Sequence, residues 1–449
     1  MTERLVVIGG DAAGMSAASQ ARRRRNSDDL IIDVFEMTQR VSYSACGEPY
    51  YISGDVPNIE QLIARTPAQF GQQDITVHLG NTVTEIDTDS RTITVLNGRD
   101  SRVVAFDQLV YATGARPVRP PIEGLDLAGV FHLKTLDDAE AIKSAAAGAK
   151  SAVVVGGGYI GLEMAEAFHV RGITTTLVTS GAVVMNRSID EDLGAIVTAG
   201  MRERGIDVRP GHRVNCLADQ QGHVRGIQLD GGVLGADIVV LALGTRPVSE
   251  LAAEAGIRIG PTGAVAVDNR QRTSVEGIWS AGDCAEALHR ITGRPANVHL
   301  GTVANKQGRV AGINIGGDDA TFPGILGTAI TKVLDIEIAR TGLSQSEAES
   351  AGIEAVTATT ESTTMAGYWP ESTEMTLKVT AERRTGRMLG AQIVGGRSAG
   401  KRIDTLATGI WNEMDGLAFS MMDLSYAPPF SGTWDPVLIA ARRAYERAM

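Results

Sequence analysis

Three cysteines occur in the 449 residues, Cys46, Cys216 and Cys284, and the surroundings of Cys46 are those of a reactive thiol. The chain there reads Ser42-Tyr43-Ser44-Ala45-Cys46-Gly47-Glu48-Pro49-Tyr50-Tyr51, and Pro49 suits the opening turn of a helix. A thiol near a helix N-terminus is pushed toward the thiolate, the form that attacks disulfides, although Glu48 pulls the other way. A lone cysteine is commonly buried and inert, and Cys216 and Cys284 keep that reading. Three cysteines make no disulfide framework, and their spacing provides no zinc site, so no metal is expected.

Two glycine-rich turns supply the second kind of chemistry. Gly156-Gly157-Gly158-Tyr159-Ile160-Gly161 satisfies G-x-G-x-x-G between the apolar run ending at Val155 and an Ala-rich helix. In that setting the glycines let the backbone approach a pyrophosphate, and the helix N-terminus favours its charge. The turn Gly9-Gly10-Asp11-Ala12-Ala13-Gly14 is the weaker one, since Asp11 stands where the middle glycine belongs. Glu36, 27 residues after Gly9 at the end of the next strand, is where a carboxylate holds adenosine ribose hydroxyls. The equivalent end of the second fold, Thr179-Ser180-Gly181, has no carboxylate, which removes repulsion against a 2′-phosphate and slightly favours NADPH or dual use over NADH.

The elements that must carry these residues repeat. Leu5 to Ala21 and Ala152 to Ala167 each read as strand, turn and helix, followed by strands at Ile31 to Phe35 and Thr174 to Val178. Further strands are expected at Thr92 to Leu96, Gln108 to Ala112, Val224 to Leu229 and Ile238 to Ala242. Past residue 324 the pattern becomes TAITKVLDIEIARTGLS and MTLKVTAERRTGRMLGAQIVG, alternating like antiparallel strands about an RTGR turn. The length and 43% hydrophobic content fit about three packed domains, and a net charge of −11 disfavours a nucleic-acid partner. With no apolar run long enough for a bilayer, no membrane association is expected and the cytosol is the expected compartment.

This combination resembles the pyridine nucleotide-disulfide oxidoreductases, in their single-cysteine branch, which contains coenzyme A disulfide reductase and NADH oxidase-like members. Ala112-Thr113-Gly114-Ala115-Arg116-Pro117, Ala242-Leu243-Gly244-Thr245-Arg246-Pro247 and Gly277-Ile278-Trp279-Ser280-Ala281-Gly282-Asp283 carry the resemblance across the remaining chain. It implies an α/β fold of two dinucleotide-binding, glutathione reductase-like domains plus a C-terminal α+β dimerisation domain. The FAD-binding domain would be discontinuous, residues 1–115 and 245–323, with an NAD(P)H-binding domain at 116–244 and the dimerisation domain at 324–449. Gly9, Gly14, Glu36, Thr113, Gly114, Gly282 and Asp283 would hold FAD, Asp283 at its ribityl chain. Gly156, Gly158, Tyr159 and Gly161 would hold NADPH or NADH, with Tyr159 as an aromatic gate and Glu163 as the acid near nicotinamide and flavin.

The resemblance also implies a homodimer in which Tyr426, and after it Tyr368, reach the partner's cysteine and donate hydrogen bonds to a sulfur leaving group. Gln20, Arg23 and Ser42 would contact coenzyme A, arginine being suited to phosphate, although a run such as Arg22 to Arg25 is more often only a solvated helix end. Tyr51 occupies the place of the second cysteine of the two-cysteine branch, and Ala12 the place of the histidine of peroxidases and water-forming oxidases. Against coenzyme A stand Ala45, Glu374 and a Phe70 to Thr76 segment without lysine. The expected activity is FAD-dependent reduction by NAD(P)H of coenzyme A disulfide, coenzyme A persulfide or a related small disulfide through Cys46. The alternatives are an NAD(P)H oxidase or diaphorase and a redox-sensing flavoprotein interaction module. The chain ends at Met449, so sulfur is expected to arrive on a small carrier rather than from a fused sulfurtransferase domain.

Overall fold

A computed structural model describes residues 2–449, which fold as two compact units. The first comprises the chain up to Glu48, Val56–Val118 and Thr245–Ile325. At its centre is a parallel sheet in the order Ile278–Ser280, Gln108–Tyr111, Glu3–Ile8, Leu30–Glu36, Ile75–Leu79. Its strands are covered on both faces, which is why Leu5, Val6 and Val7 form a continuous apolar run instead of alternating. On one face the helix Ala12–Arg22 packs against the helix Gly301–Ile315 at backbone contact. A Cβ on Gly308 would lie 2.1 Å from the Ala13 carbonyl oxygen, and one on Gly312 2.2 Å from that of Ala17. The other face carries an antiparallel sheet, Thr82–Asp87, Thr92–Asn97 and Asp100–Ala105, whose Ile93 and Val95 share a core with Phe35 and Tyr111.

The second unit comprises Pro49–Asp55, Arg119–Gly244 and Leu326–Met449. It repeats the plan: a parallel sheet in the order Asp207–Arg209, Thr174–Val178, Ser151–Val155, Ile238–Leu241, Val130–Phe131, with an antiparallel sheet Leu217–Gln220, His223–Leu229, Gly232–Gly235 beside it. The alternating C-terminal segments form a five-stranded antiparallel sheet, Ala329–Val333, Ile336–Gly342, Met388–Gly395, Glu374–Glu382, Ala355–Thr363. Val333, Ile336, Ile338 and Val394 of this sheet share one core with Leu162, Phe168 and Leu193 of the nucleotide-type fold. Among the described residues no helix is long and apolar enough to cross a membrane.

Candidate functional site

The two glycine turns have the same backbone. Gly9 (φ +102°) and Gly156 (φ +119°) occupy conformations closed to other residues, and a Cβ there would meet the carbonyl oxygens of Ala112 at 2.2 Å and Ala242 at 2.1 Å. A Cβ on Gly14 would lie 2.0 Å from the Gly9 carbonyl oxygen, and one on Gly161 1.8 Å from that of Gly156. At the N-caps, Asp11 (φ −107°, ψ −155°) matches Gly158 (φ −88°, ψ −169°). Asp11 is accommodated because its Oδ1 accepts the Tyr43 amide at 3.3 Å, a partner 32 residues away that no local motif reveals.

In the first unit the expected flavin residues converge on this turn. Glu36, nearly buried, accepts the Gly10 amide on Oε2 and the Thr38 amide on Oε1, each at 2.8 Å. Gly282 (φ +88°) donates to Gln307 Oε1 at 2.9 Å, which pins the turn that presents Asp283 to the helix Gly301–Ile315. Thr113 and Tyr111 both donate to the Val248 carbonyl, and Gly114 (φ +68°) leads into the Ala115–Pro117 strand paired with Thr245–Pro247. Beside them lies a network absent from the sequence reading. His299 Nε2 meets Asn297 Oδ1 at 2.7 Å and His299 Nδ1 meets Thr245 Oγ1 at 2.5 Å, while Asn297 donates to the Asp283 and Ala285 carbonyls. A long dinucleotide with a buried pyrophosphate fits this cradle, since close backbone approach and a carboxylate at the strand end are both in place.

Cys46 is the exposed cysteine; Cys216 is half-buried, and Cys284 is fully buried with its Sγ against the Tyr111 and Ala281 carbonyls. It lies in a single 3-10 turn, Ala45–Gly47, that runs into the helix Glu48–Ser53. The strained Ser42 (φ +50°) sets the start of this segment, with its amide on the Gly10 carbonyl and its own carbonyl accepting Ala64. In the second unit the Tyr51 ring lies under Lys143 Nζ, 3.5 Å from the ring centroid.

The arginine run resolves residue by residue. Arg22 donates to the Leu30 and Asp74 carbonyls, Arg24 pairs with Asp318 and bonds Gln20 Oε1, and Arg25 pairs with Glu3. Gln20 is buried, and Arg23 is the exposed member, its guanidinium unpartnered among the described residues. The partners that tie down the other three are distant in sequence, so the run alone could not single out Arg23.

In the second unit Gly158 is open: a Cβ built there meets nothing within 4 Å. Burial pushes the Tyr159 phenol above its ordinary value, while Arg340 and a hydrogen bond with Ser188 pull it back. Burial likewise raises the Glu163 carboxyl, against the Thr331 hydroxyl that donates to it at 2.9 Å. The strand end places buried Thr179, with Ser180 next, between the Arg209 carbonyl and the His212 amide. Tyr368 and Tyr426 are exposed and adjacent; partial desolvation and then Tyr426 raise the Tyr368 phenol. Their two loops are joined by Arg402, which donates to the Thr364 and Phe430 carbonyls. Glu374 opens the next strand, exposed.

Residues 3–308 match the pyridine nucleotide-disulphide oxidoreductase family and residues 328–436 its dimerisation domain. A Pyrococcus abyssi protein named NAD(P)H sulfur oxidoreductase (CoA-dependent) is 40% identical over 441 residues, 98% of this chain and 97% of that protein. A Methanocaldococcus jannaschii NADH oxidase is 34% identical over 448 residues, 99% of each chain. The solved structure of an NAD-dependent persulfide reductase from A. fulgidus superposes with a TM-score of 0.95 at 39% identity, covering 99% of this chain and 83% of that one.

Proposed function

We propose a sulfur-reducing reaction for this chain, which belongs to the pyridine nucleotide-disulphide oxidoreductase family: NAD(P)H-dependent reduction of coenzyme A persulfide or disulfide at Cys46. The family works with FAD and NAD(P)H, and the flavin supplies two-electron transfer between nicotinamide and sulfur. The observation that carries the reading is the exposed Cys46 at the entry of the Glu48–Ser53 helix, with Tyr51 in the position of a second cysteine. The Cys46 thiolate attacks the outer sulfur of a coenzyme A persulfide, a new S–S bond makes the Cys46 persulfide as the original S–S bond breaks, and coenzyme A leaves as a thiolate that takes a proton. Two electrons from NAD(P)H then cleave the Cys46 persulfide, which returns the thiolate and releases sulfide. With coenzyme A disulfide the same attack gives a mixed disulfide, and reduction releases the second thiol.

The remaining assignments divide by place. Gly9, Gly14, Glu36, Thr113, Gly114, Gly282 and Asp283 hold the flavin nucleotide. Gly156, Gly158, Tyr159 and Gly161 hold the nicotinamide nucleotide, beside Glu163. Arg23, Gln20 and Ser42 face coenzyme A, and in a homodimer Tyr426 and Tyr368 serve the partner's cysteine. The 34% identical NADH oxidase supports a second reading, oxygen reduction by the flavin to give peroxide, while Ala12, at the place of the histidine of peroxidases and water-forming oxidases, removes the usual acid for oxygen chemistry at Cys46 itself. Anaerobic turnover decides between them. Cys46→Ser should still accept hydride from NAD(P)H, bleaching the flavin at near the normal rate, yet lose nucleotide oxidation dependent on coenzyme A persulfide. Undiminished persulfide reduction by that variant would overturn the proposal.

A further inference from the structure

On one face of the helix Tyr159–Val170, Glu163 and Glu166 lie one turn apart, and both are met by consecutive residues of the C-terminal strand Ala329–Val333. Thr331 Oγ1 donates to Glu163 Oε1 at 2.9 Å, and the Lys332 ammonium pairs with Glu166. Lys332 Nζ also sits 5.7 Å from the ring centroid of Tyr50, four residues after Cys46 in sequence. Pro49, Tyr50, Ser53 and Asp55 line a small cleft with Glu163, Glu166 and Ala167. The charged and titratable groups around Glu163 are thus Glu166 and Tyr159 on its own helix, Lys332 on the strand, and Tyr50 and Asp55 on the 49–55 segment.

We infer that Thr331 and Lys332 are positioning residues for Glu163, which let that carboxyl hold or release one proton at a fixed place. The Thr331 hydroxyl has two acceptors, Glu163 Oε1 and, at 3.4 Å, the Lys332 carbonyl. When Glu163 is charged the hydroxyl donates to it. When Glu163 is protonated the hydroxyl turns to the Lys332 carbonyl and accepts the acid proton, so both states are satisfied without moving the helix. Lys332 offsets the charge of Glu166, which would otherwise hold Glu163 in its neutral form. Glu163 itself enters through the reading of the site given above, on which this inference rests.

The test is an infrared titration of the flavin-loaded protein, following the carbonyl stretch of a protonated carboxylic acid. A band absent from Glu163→Gln should titrate above the ordinary carboxylate range. Lys332→Met should move its midpoint up and Glu166→Gln should move it down, each by about one to two pH units, the size expected for one charge in a half-buried site. Thr331→Val should move it up, and Lys332→Arg should restore the normal midpoint. Equal midpoints in Lys332→Met and Glu166→Gln, or shifts in the same direction, would overturn the inference. If Lys332→Met does not fold, Thr331→Val and Glu166→Gln still must shift in opposite directions. Flavin reduction by NAD(P)H in Glu163→Gln tests the underlying reading separately: an unchanged rate with opposite infrared shifts would remove Glu163 from the hydride step and leave the positioning intact.

Discussion

Alanine at Gly158 and at Gly156 should separate what the second glycine turn does for the fold from what it does for a nucleotide. At Gly158 a Cβ meets nothing within 4 Å, and φ −88°, ψ −169° is open to alanine. The protein without nucleotide therefore loses only the N-cap preference for glycine, about 0.5–1 kcal/mol, or roughly 1–3 °C in Tm. At Gly156, φ +119° costs alanine about 1–2 kcal/mol, and the Cβ stands 2.1 Å from the Ala242 carbonyl oxygen. Relieving that overlap adds about 1–3 kcal/mol, for a total of about 2–5 kcal/mol. Binding should show the opposite separation from stability. On the proposed nucleotide site, a methyl at Gly158 would stand where a pyrophosphate comes within hydrogen-bond distance of the helix amides, and losing one charge-assisted bond of about 1.5–3 kcal/mol should weaken Kd by about ten- to a hundredfold. Thermal unfolding and NAD(P)H titration of both purified variants make the comparison, with flavin content expected to stay normal in each. A Gly158→Ala protein that kept wild-type Tm and wild-type Kd would show that the nucleotide does not lie against this helix N-terminus.

Two further outcomes follow from side-chain environments. Burial alone would raise the Glu347 carboxyl, but the hydrogen bond and charge of Arg340 and the Ser344 amide outweigh it and hold the group below its ordinary value. The stabilisation is present above the unfolded value of about 4.3 and is lost as pH falls through the lower folded value. With the carboxylate 41% exposed, Glu347→Gln should cost only about 0.5–1.5 kcal/mol near neutrality in denaturant unfolding, with the difference from wild type closing in acid; a constant difference across that range would contradict the assignment. At the strand end, the absence of a carboxylate at Thr179 should let kcat/KM with NADPH equal or exceed that with NADH, and a strict NADH preference would refute this.

Local pattern was enough to read both glycine turns, the strands that lead into them and the alternating C-terminal sheet, because each is specified by residues a few positions apart. It failed where an interaction joins distant segments. Asp11 counts against the first turn on spacing alone, yet its side chain is taken up by the Tyr43 amide and its backbone matches Gly158. Three of the four consecutive arginines are consumed by Asp74, Asp318 and Glu3, which left the run looking uniform in sequence. Thr331 and Lys332 read as strand residues with outward and inward faces. Their partners lie 168 and 166 positions away, and only the shared core of the second unit brings them together. The spacing of Glu163 and Glu166 was the one available signal, since carboxylates three apart on a helix repel unless something pairs with one of them.

The two nucleotide-type folds agree in backbone and differ in charge at the strand end that follows each turn. Gly9 against Ala112 and Gly156 against Ala242 make the same contact, so shape alone would let either turn accept either dinucleotide. At the ribose end of the first stands Glu36, nearly buried and fixed by two amides, where a 2′-phosphate would meet a carboxylate that cannot swing away. At the same place in the second stands Thr179, uncharged and buried, with Ser180 beyond it. A 2′-phosphate would be repelled at the first strand end, whereas FAD and NADH, both with a free 2′-hydroxyl, would be tolerated at either, and the second strand end has no charge to exclude any of the three. The carboxylate therefore argues against a 2′-phosphorylated nucleotide in the first fold, while the proposed placing of flavin at the N-terminal turn and nicotinamide nucleotide at the other follows from the family resemblance and not from the glycines they share.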